Sequence, residues 1–298
     1  MIYTIVIHNG ARSWSQLNRS IIDKLDSEPL ISLEIISTKF AGHAIELARG
    51  LSGKKVDVVV VVGGDGTLNE VVNGIKQSEL SLPVALLPNG TANDFSRGLG
   101  QSWNPDSFSQ AILSYNYQLM DLIRLSSDAG VHWCVNIADT GFGGNVVQLL
   151  HRQRKFIGGG ISYVIAIARS FFTFKKPQVI ICSAEKNYAG PILLVAACNG
   201  PMFGDGLYIA PDALPDDGWM HVTLLGKVNF LDYVKNLARL KRKEKIKHPE
   251  AYYFRTKKVE VQKTNGKAYT EADGELIGEG KIVFEIQEAA LKLIVPLN

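Results

Sequence analysis

The 298-residue chain is short of several things, and each shortage excludes something. Its three cysteines, Cys134, Cys182 and Cys198, are too few and too far apart for a disulfide framework or a zinc site. They read as small buried hydrophobes in a reducing compartment. There is no run of about 18 apolar residues, which excludes a membrane-spanning helix. The N-terminus lacks a basic region ahead of its apolar stretch Ile2 to Ile7 and breaks at Asn9-Gly10, so it reads as a first strand and not as a signal peptide. An excess of one charge sign is also missing. With 32 basic and 29 acidic residues the net charge is +3, which argues against a nucleic-acid partner. Internal repeats and low-complexity tracts are absent. These absences lead to the expectation of a soluble, cytoplasmic protein.

What is present is an ordinary globular composition, 46% hydrophobic and 20% charged, with one abundant residue, glycine, at 28. Without a G-X-Y period, so much glycine points to positions where backbone turns tightly or approaches a ligand. The first 120 or so residues alternate strand and helix patterns. Residues 2–7, 32–38, 56–62 and 84–87 read as strands, and the all-valine core of 56–62 predicts a strand buried on both faces, as in a parallel sheet. Leu17, Ile21, Ile22 and Leu25 share one helical face, 43–51 reads as a helix, and Asn104-Pro105 opens another through Leu113. This is the pattern of a doubly wound α/β domain.

After Asp121 strand-like runs dominate: 122–125, 131–138, 178–183, 192–198, 219–225, 252–262, 281–286 and 291–295. That spacing predicts an antiparallel β-sandwich, with helical inserts at 162–174 and 231–240. The expected division is 1–122 for the α/β domain and 123–298 for the sandwich.

The most informative stretch is Val62-Gly63-Gly64-Asp65-Gly66-Thr67-Leu68-Asn69-Glu70, where a buried strand runs into three glycines, a carboxylate and a threonine. Ligands bind at the carboxyl ends of strands in open parallel sheets, and a helix N-terminus presents N–H groups to anions. The stretch is not a P-loop, since no Gly-Lys-Ser/Thr follows, and it lacks the dinucleotide fingerprint. A second polar turn, Pro88-Asn89-Gly90-Thr91-Ala92-Asn93-Asp94-Phe95, is expected beside it at the same sheet edge.

These two loops resemble those of the diacylglycerol kinase catalytic-domain family, in its bacterial soluble lipid kinase branch. Ala210 to Gly218, Asp273-Gly274-Glu275, and Thr38 with Gly42-His43-Ala44 extend the resemblance over nearly the whole chain. One departure is Asn9-Gly10, where the family's first strand usually ends in Asn-Pro.

The resemblance implies ATP-dependent phosphorylation of a lipid hydroxyl, on a diacylglycerol-like, phosphatidylglycerol or sphingoid lipid, in a cleft between the two domains. It implies that Thr38, Gly63, Gly64, Asp65, Gly66, Thr67, Leu68, Asn69 and Thr91 contact the nucleotide. Asp65 is the one carboxylate in the phosphate loop and would hold Mg²⁺ or orient the acceptor hydroxyl. Glu275 matches the family's general base. Leu214, Asp217 and Trp219 match a Mg²⁺ site built from two main-chain carbonyls and one carboxylate. Asp216-Asp217-Gly218 also reads as a plain hairpin turn.

The glycine-rich stretch 136–145 is expected to bend a strand. The apolar stretch 161–172, after Gly158-Gly159-Gly160, reads either as a core helix or as a lipid-entry helix. The basic run 240–248 reads either as a solvated helix end or as a contact with anionic lipid at the inner face of a membrane. Two rival functions are an NAD kinase-like small-molecule kinase, which uses a similar glycine loop, and an inactive nucleotide- or lipid-binding regulator.

Overall fold

A computed structural model describes residues 1–10, 13–153, 169–171 and 173–297. They form two compact units, Met1–Leu122 with Glu288–Asn298, and Ile123–Gln287.

The first unit is α/β. Its elements are β1 (Ile2–Asn9), α1 (Gln16–Asp26), β2 (Ile31–Thr38), α2 (His43–Arg49), β3 (Val58–Gly63), α3 (Asp65–Gln77), β4 (Val84–Pro88), α4 (Asp94–Leu99) and α5 (Pro105–Leu113). The strands form a parallel sheet in the order β2-β1-β3-β4. All six residues of β3 are buried, as its valine run requires. Ser15 caps α1 by accepting the Asn18 N–H at 3.1 Å, and Ile21, Ile22 and Leu25 pack into the core with Phe108 and Ile112 of α5. Leu17, expected on that face, is instead exposed, because the buried face is set by Asn18, Ile21, Ile22 and Leu25 and Leu17 lies to one side of it. Asn104 and Ser107 form a capping box around Pro105, fixing the start of α5. The chain's end returns to this unit: Leu293 pairs in parallel with Val84, and Asp121 accepts the Ala289 N–H at 2.8 Å.

The second unit contains the second half of β5 (Tyr117–Ser127), then β6 (Gly130–Cys134), β7 (Ile137–Gly141), α6 (Phe142–Gln153), β8 (Gln178–Ser183), β9 (Tyr188–Pro191), β10 (Leu194–Cys198), β11 (Met220–Leu225), α7 (Phe230–Lys241), β12 (Ala251–Thr256), β13 (Lys258–Asn265), β14 (Tyr269–Ala272), β15 (Glu275–Glu279) and the first half of β16 (Ile282–Ile294). One antiparallel sheet runs β12-β11-β10-β7-β14-β15; the other contains β16-β13-β8-β9, with β5 and β6. Val179, Ile181, Val259, Val261 and Phe284 from one meet Val195, Ala197, Val222 and Leu224 from the other in a shared core. That is an antiparallel β-sandwich.

Several boundaries differ from the sequence reading. Residues 252–262 are two strands in different sheets, divided at Lys257, where Thr256 Oγ1 turns to accept the Lys258 N–H at 3.3 Å. The runs 281–286 and 291–295 are one strand, bent at Ala289, whose φ is 51°. Residues 136–145 form no turn; β7 runs straight into α6. Cys134 and Cys198 are buried, but Cys182 is exposed because β8 alternates and places it on the outer face. Most of the expected insert at 162–174 lies outside the described residues; Phe171 and Phe174 pack on Phe142 with centroids 4.3 and 5.8 Å away. Among the described residues no helix is long and apolar enough to cross a membrane.

Candidate active site

In the first unit, Thr38 pairs with Asn9 and Gly63 with Pro88, so the carboxyl ends of four parallel strands meet at one edge. Helix α3 starts one residue past β3. Its first-turn N–H groups therefore lie at that edge, where an anion would meet the positive end of a helix dipole.

The glycines there are dictated by contact. A Cβ on Gly63 would lie 2.6 Å from the Thr67 Cβ, and one on Gly90 would lie 2.5 Å from the Cα of Gly64. The two polar loops thus pack backbone to backbone, and Asn89 N–H donates to the Gly63 carbonyl at 2.8 Å. Asn93, in the left-handed region at φ 50°, closes the second loop: its Oδ1 accepts the Gly90 N–H at 2.8 Å and its Nδ2 donates to the Gly90 carbonyl at 3.2 Å. The carboxylate of Asp65 then accepts the N–H groups of Asp94 at 2.9 Å and Phe95 at 3.1 Å. Glu70 does the same for the third loop, accepting from Gly42 at 2.9 Å and Ala44 at 3.1 Å. Thr38 Oγ1 accepts the Gly10 N–H at 3.4 Å.

Of the expected nucleotide contacts, Thr38, Gly63, Gly64, Asp65, Gly66, Thr67 and Thr91 thus belong to these loops and to the turn that opens α3. The side chains of Leu68 and Asn69 are buried in the unit, the Leu68 N–H donates to the Gly64 carbonyl at 3.1 Å, and Asn69 accepts from Asn73 Nδ2.

In the second unit, Asp273 and Gly274 form the two-residue turn joining β14 to β15, closed by the pair Ala272 and Glu275. Both turn residues have positive φ, 49° and 87°, which is the geometry that Asp-Gly favours in tight hairpins. The Asp273 carboxylate accepts the N–H groups of Val135, Asn136 and Ile137 at 2.7, 3.0 and 3.1 Å. Gly274 N–H donates to Glu271 Oε2 at 2.8 Å. Glu275, the first residue of β15, is half-buried beside this braced turn.

Asp217 accepts the Trp219 N–H at 2.9 Å, and its other oxygen lies 3.0 Å from His221 Nε2. Among the described residues no three His, Cys, Asp or Glu side chains gather as a metal site. An ion held at Leu214, Asp217 and Trp219 would therefore rely on main-chain carbonyls. As donor types the residues suit Mg²⁺, since each Asp217 oxygen accepts one bond and retains a second lone pair.

Sequence reasoning did not single out Asn93 or Glu70, and it read Asp273 as part of a motif without its carboxylate's bonds to Val135, Asn136 and Ile137. Asn93-Asp94 ahead of Phe95 carries a helix-start signature that would have found the first. The bonds of Glu70 and of the Asp273 carboxylate have no local signal, because their partners lie 26 to 28 and 136 to 138 residues away.

Residues 4–125 match the diacylglycerol kinase catalytic domain, and residues 136–295 match the YegS C-terminal NAD kinase beta sandwich-like domain. A relative from Shewanella frigidimarina, carrying the name probable lipid kinase YegS-like, is 32% identical over 246 residues, 80% of this chain and 77% of its own length. The chain belongs to the YegS-like lipid kinases of the diacylglycerol kinase catalytic-domain family. A like-named relative from Xanthomonas euvesicatoria is 34% identical over 199 residues, covering 65% of this chain and 64% of its own. Two crystal structures from Bacillus anthracis superpose with TM-scores of 0.76 and 0.69, at 22% and 19% identity. They cover 98% of this chain and 97% and 96% of their own, and the second is described as a diacylglycerol kinase. At that identity they speak for the fold. A member of this lipid kinase family is a phosphotransferase, with ATP as the co-substrate the family implies.

Proposed function

We propose that the chain transfers the γ-phosphoryl group of ATP to the hydroxyl of a membrane-derived lipid. The observation that carries this reading is the join of three loops at one strand edge, made by Asp65 on Asp94 and Phe95 and by Glu70 on Gly42 and Ala44. Phosphoryl transfer asks a protein mainly for positioning and charge neutralisation, and backbone N–H groups held rigidly at a helix start supply both.

In this reading Gly63 to Asn69, with Thr38 and Thr91, bind ATP, and Thr67 donates its hydroxyl to a phosphate. Asp65 holds the second loop in place, and its remaining lone pairs would hold Mg²⁺ or orient the acceptor hydroxyl. Glu275 takes the proton of the acceptor hydroxyl. Mg²⁺ neutralises phosphate charge when bound with ATP, and a second ion belongs to Leu214, Asp217 and Trp219. The acceptor is a diacylglycerol-like, phosphatidylglycerol or sphingoid lipid.

A lipid acceptor calls for peripheral membrane contact, at the inner face. Helix α7 supports one surface for it. Leu231 and Val234 are exposed by 65% and 49%, and Lys235, Lys241 and Arg242 follow on the same helical face. Lys227 to Lys247 carries eight of the 32 basic residues and only two acids, Asp232 and Glu244. Leu231→Asp is expected to abolish co-flotation with vesicles of anionic phospholipid.

The test is transfer from γ-labelled ATP, with total lipid extract in one tube and NAD in another, followed by mass spectrometry of the labelled product. Label in a lipid is expected. Label in NAD alone would replace this reading with the NAD kinase-like one, and label in neither would favour a binding regulator.

A further inference from the structure

We infer that Asp139 and Glu271 share one proton and that this pair positions the Asp273-Gly274 turn and, through it, Glu275. The inference rests on the reading of Glu275 as the base, and assigns Glu271 a positioning role.

The two acids lie directly opposite each other where β7 pairs with β14. They are buried, with 0% and 5% of their surface exposed. Two ionised carboxylates in such a place repel each other and lose their hydration, so one of them keeps its proton. Among the described residues no cation is found acting on the pair. The other titratable groups acting on the pair are Asp273, Cys134 and Cys198, all anionic or neutral.

Geometry decides which acid is charged. Asp139 stands three residues before α6, and Gly144 N–H reaches its Oδ1 at 3.4 Å. A helix start favours the anion. Asp139 Oδ2 is buried and receives no donor as long as both groups are ionised. A proton on Glu271 supplies that donor, and the two side chains are within hydrogen-bonding reach. Glu271 Oε2 meanwhile accepts the Gly274 N–H at 2.8 Å. Glu271 is thus the link between a strand in the sandwich core and a turn whose two residues both sit at positive φ. Burial raises both acids, Asp139 to about 6 and Glu271 well above the usual carboxyl range, the latter with help from the Asp139 charge.

The linkage has a definite sign. The folded protein keeps a proton on Glu271 that the unfolded chain releases near its ordinary value of about 4.3. The pair's contribution to stability is therefore fully present below that pH and is lost as pH rises through the folded value. Glu271→Gln replaces the shared proton with an amide N–H that cannot titrate, while its carbonyl still accepts from Gly274.

The experiment is thermal unfolding of the full chain from mildly acidic to alkaline pH, with kcat measured over the same range. Relative to Glu271→Gln, the wild type is expected to lose Tm steadily with rising pH and to show a falling alkaline limb in kcat that the variant lacks. Glu271→Ala, which removes the brace, is expected to lower kcat by about 10²-fold with KM for ATP unchanged. Parallel Tm curves for the wild type and Glu271→Gln would overturn the shared proton, and a wild-type kcat in Glu271→Ala would overturn the positioning role. If Glu271→Ala does not fold, the pH profiles of Glu271→Gln and Asp139→Asn decide the matter. Unchanged turnover in Glu275→Gln would remove the base assignment without altering the Tm comparison, so the two failures are told apart.

Discussion

The carboxylate of Asp65 caps the helix that begins at Asp94, accepting that residue's N–H at 2.9 Å and the N–H of Phe95 at 3.1 Å. Asp65 is itself the first residue of α3, so one side chain joins the starts of two helices. The carboxylate inside the glycine-rich loop is in part an internal ligand of the protein.

This predicts a double effect for Asp65→Asn. The variant keeps one acceptor oxygen but loses the charge that strengthens both bonds, and a lost helix cap costs about 1–2 kcal/mol. Urea unfolding should report that loss, and phosphoryl transfer should fall with it. Wild-type stability and activity in Asp65→Asn would remove both the cap and the part in holding Mg²⁺ or orienting the acceptor hydroxyl.

Gly90 and Gly66 should separate packing from ligand approach. A Cβ at Gly90 would lie 2.5 Å from the Gly64 Cα and 2.6 Å from Asn93 Oδ1, whereas one at Gly66 meets nothing within 4 Å. Gly90→Ala should therefore destabilise by about 1–3 kcal/mol, as overpacking does. Gly66→Ala, inside a helix, should be neutral or stabilising by about 0.5–1 kcal/mol. If Gly66 lies against phosphate, its alanine variant binds ATP more weakly despite that gain. Calorimetric titration with ATP beside thermal unfolding checks both.

Glu275→Gln should keep its circular dichroism and ATP affinity and lose turnover by about 10²–10⁴-fold, the scale of general base catalysis. Asp273→Asn should behave differently. It disturbs three backbone hydrogen bonds to one carboxylate, so its loss appears first in stability.

Asp217 should govern a Mg²⁺ effect that needs no nucleotide. An ion bound by the folded chain raises Tm with concentration. Millimolar Mg²⁺ is expected to raise the Tm of the wild type and not that of Asp217→Asn. Equal shifts in the two proteins would dissociate the ion from Asp217.

Much of the local structure was legible because its causes are local. The valine run at 58–62 could only be buried on both faces, Asn104-Pro105 could only open a helix, and Asp273-Gly274 fits the two positive φ values of a tight hairpin. Helix α7 was expected at 231–240 and spans Phe230–Lys241. Periodicity misjudged Leu17 and Cys182, whose exposure depends on which neighbours an element meets. The strand pattern of 252–262 concealed a change of sheet at Lys257, since no glycine, proline or turn residue marks the break.

The family, the two glycine loops and the two classes of domain could be read from the chain alone, because motif order, turn chemistry and hydrophobic period are properties of neighbouring residues. What the acids inside and around those motifs do depends on the folded arrangement. Asp65 reaches 29 and 30 residues along the chain, Glu70 reaches back 26 and 28, and Asp139 meets Glu271 across paired strands. The returning residues 288–298 join the first unit in the same long-range way. Such partners are chosen by strand register and packing, which place distant residues within bonding distance, and a linear pattern carries no record of that distance.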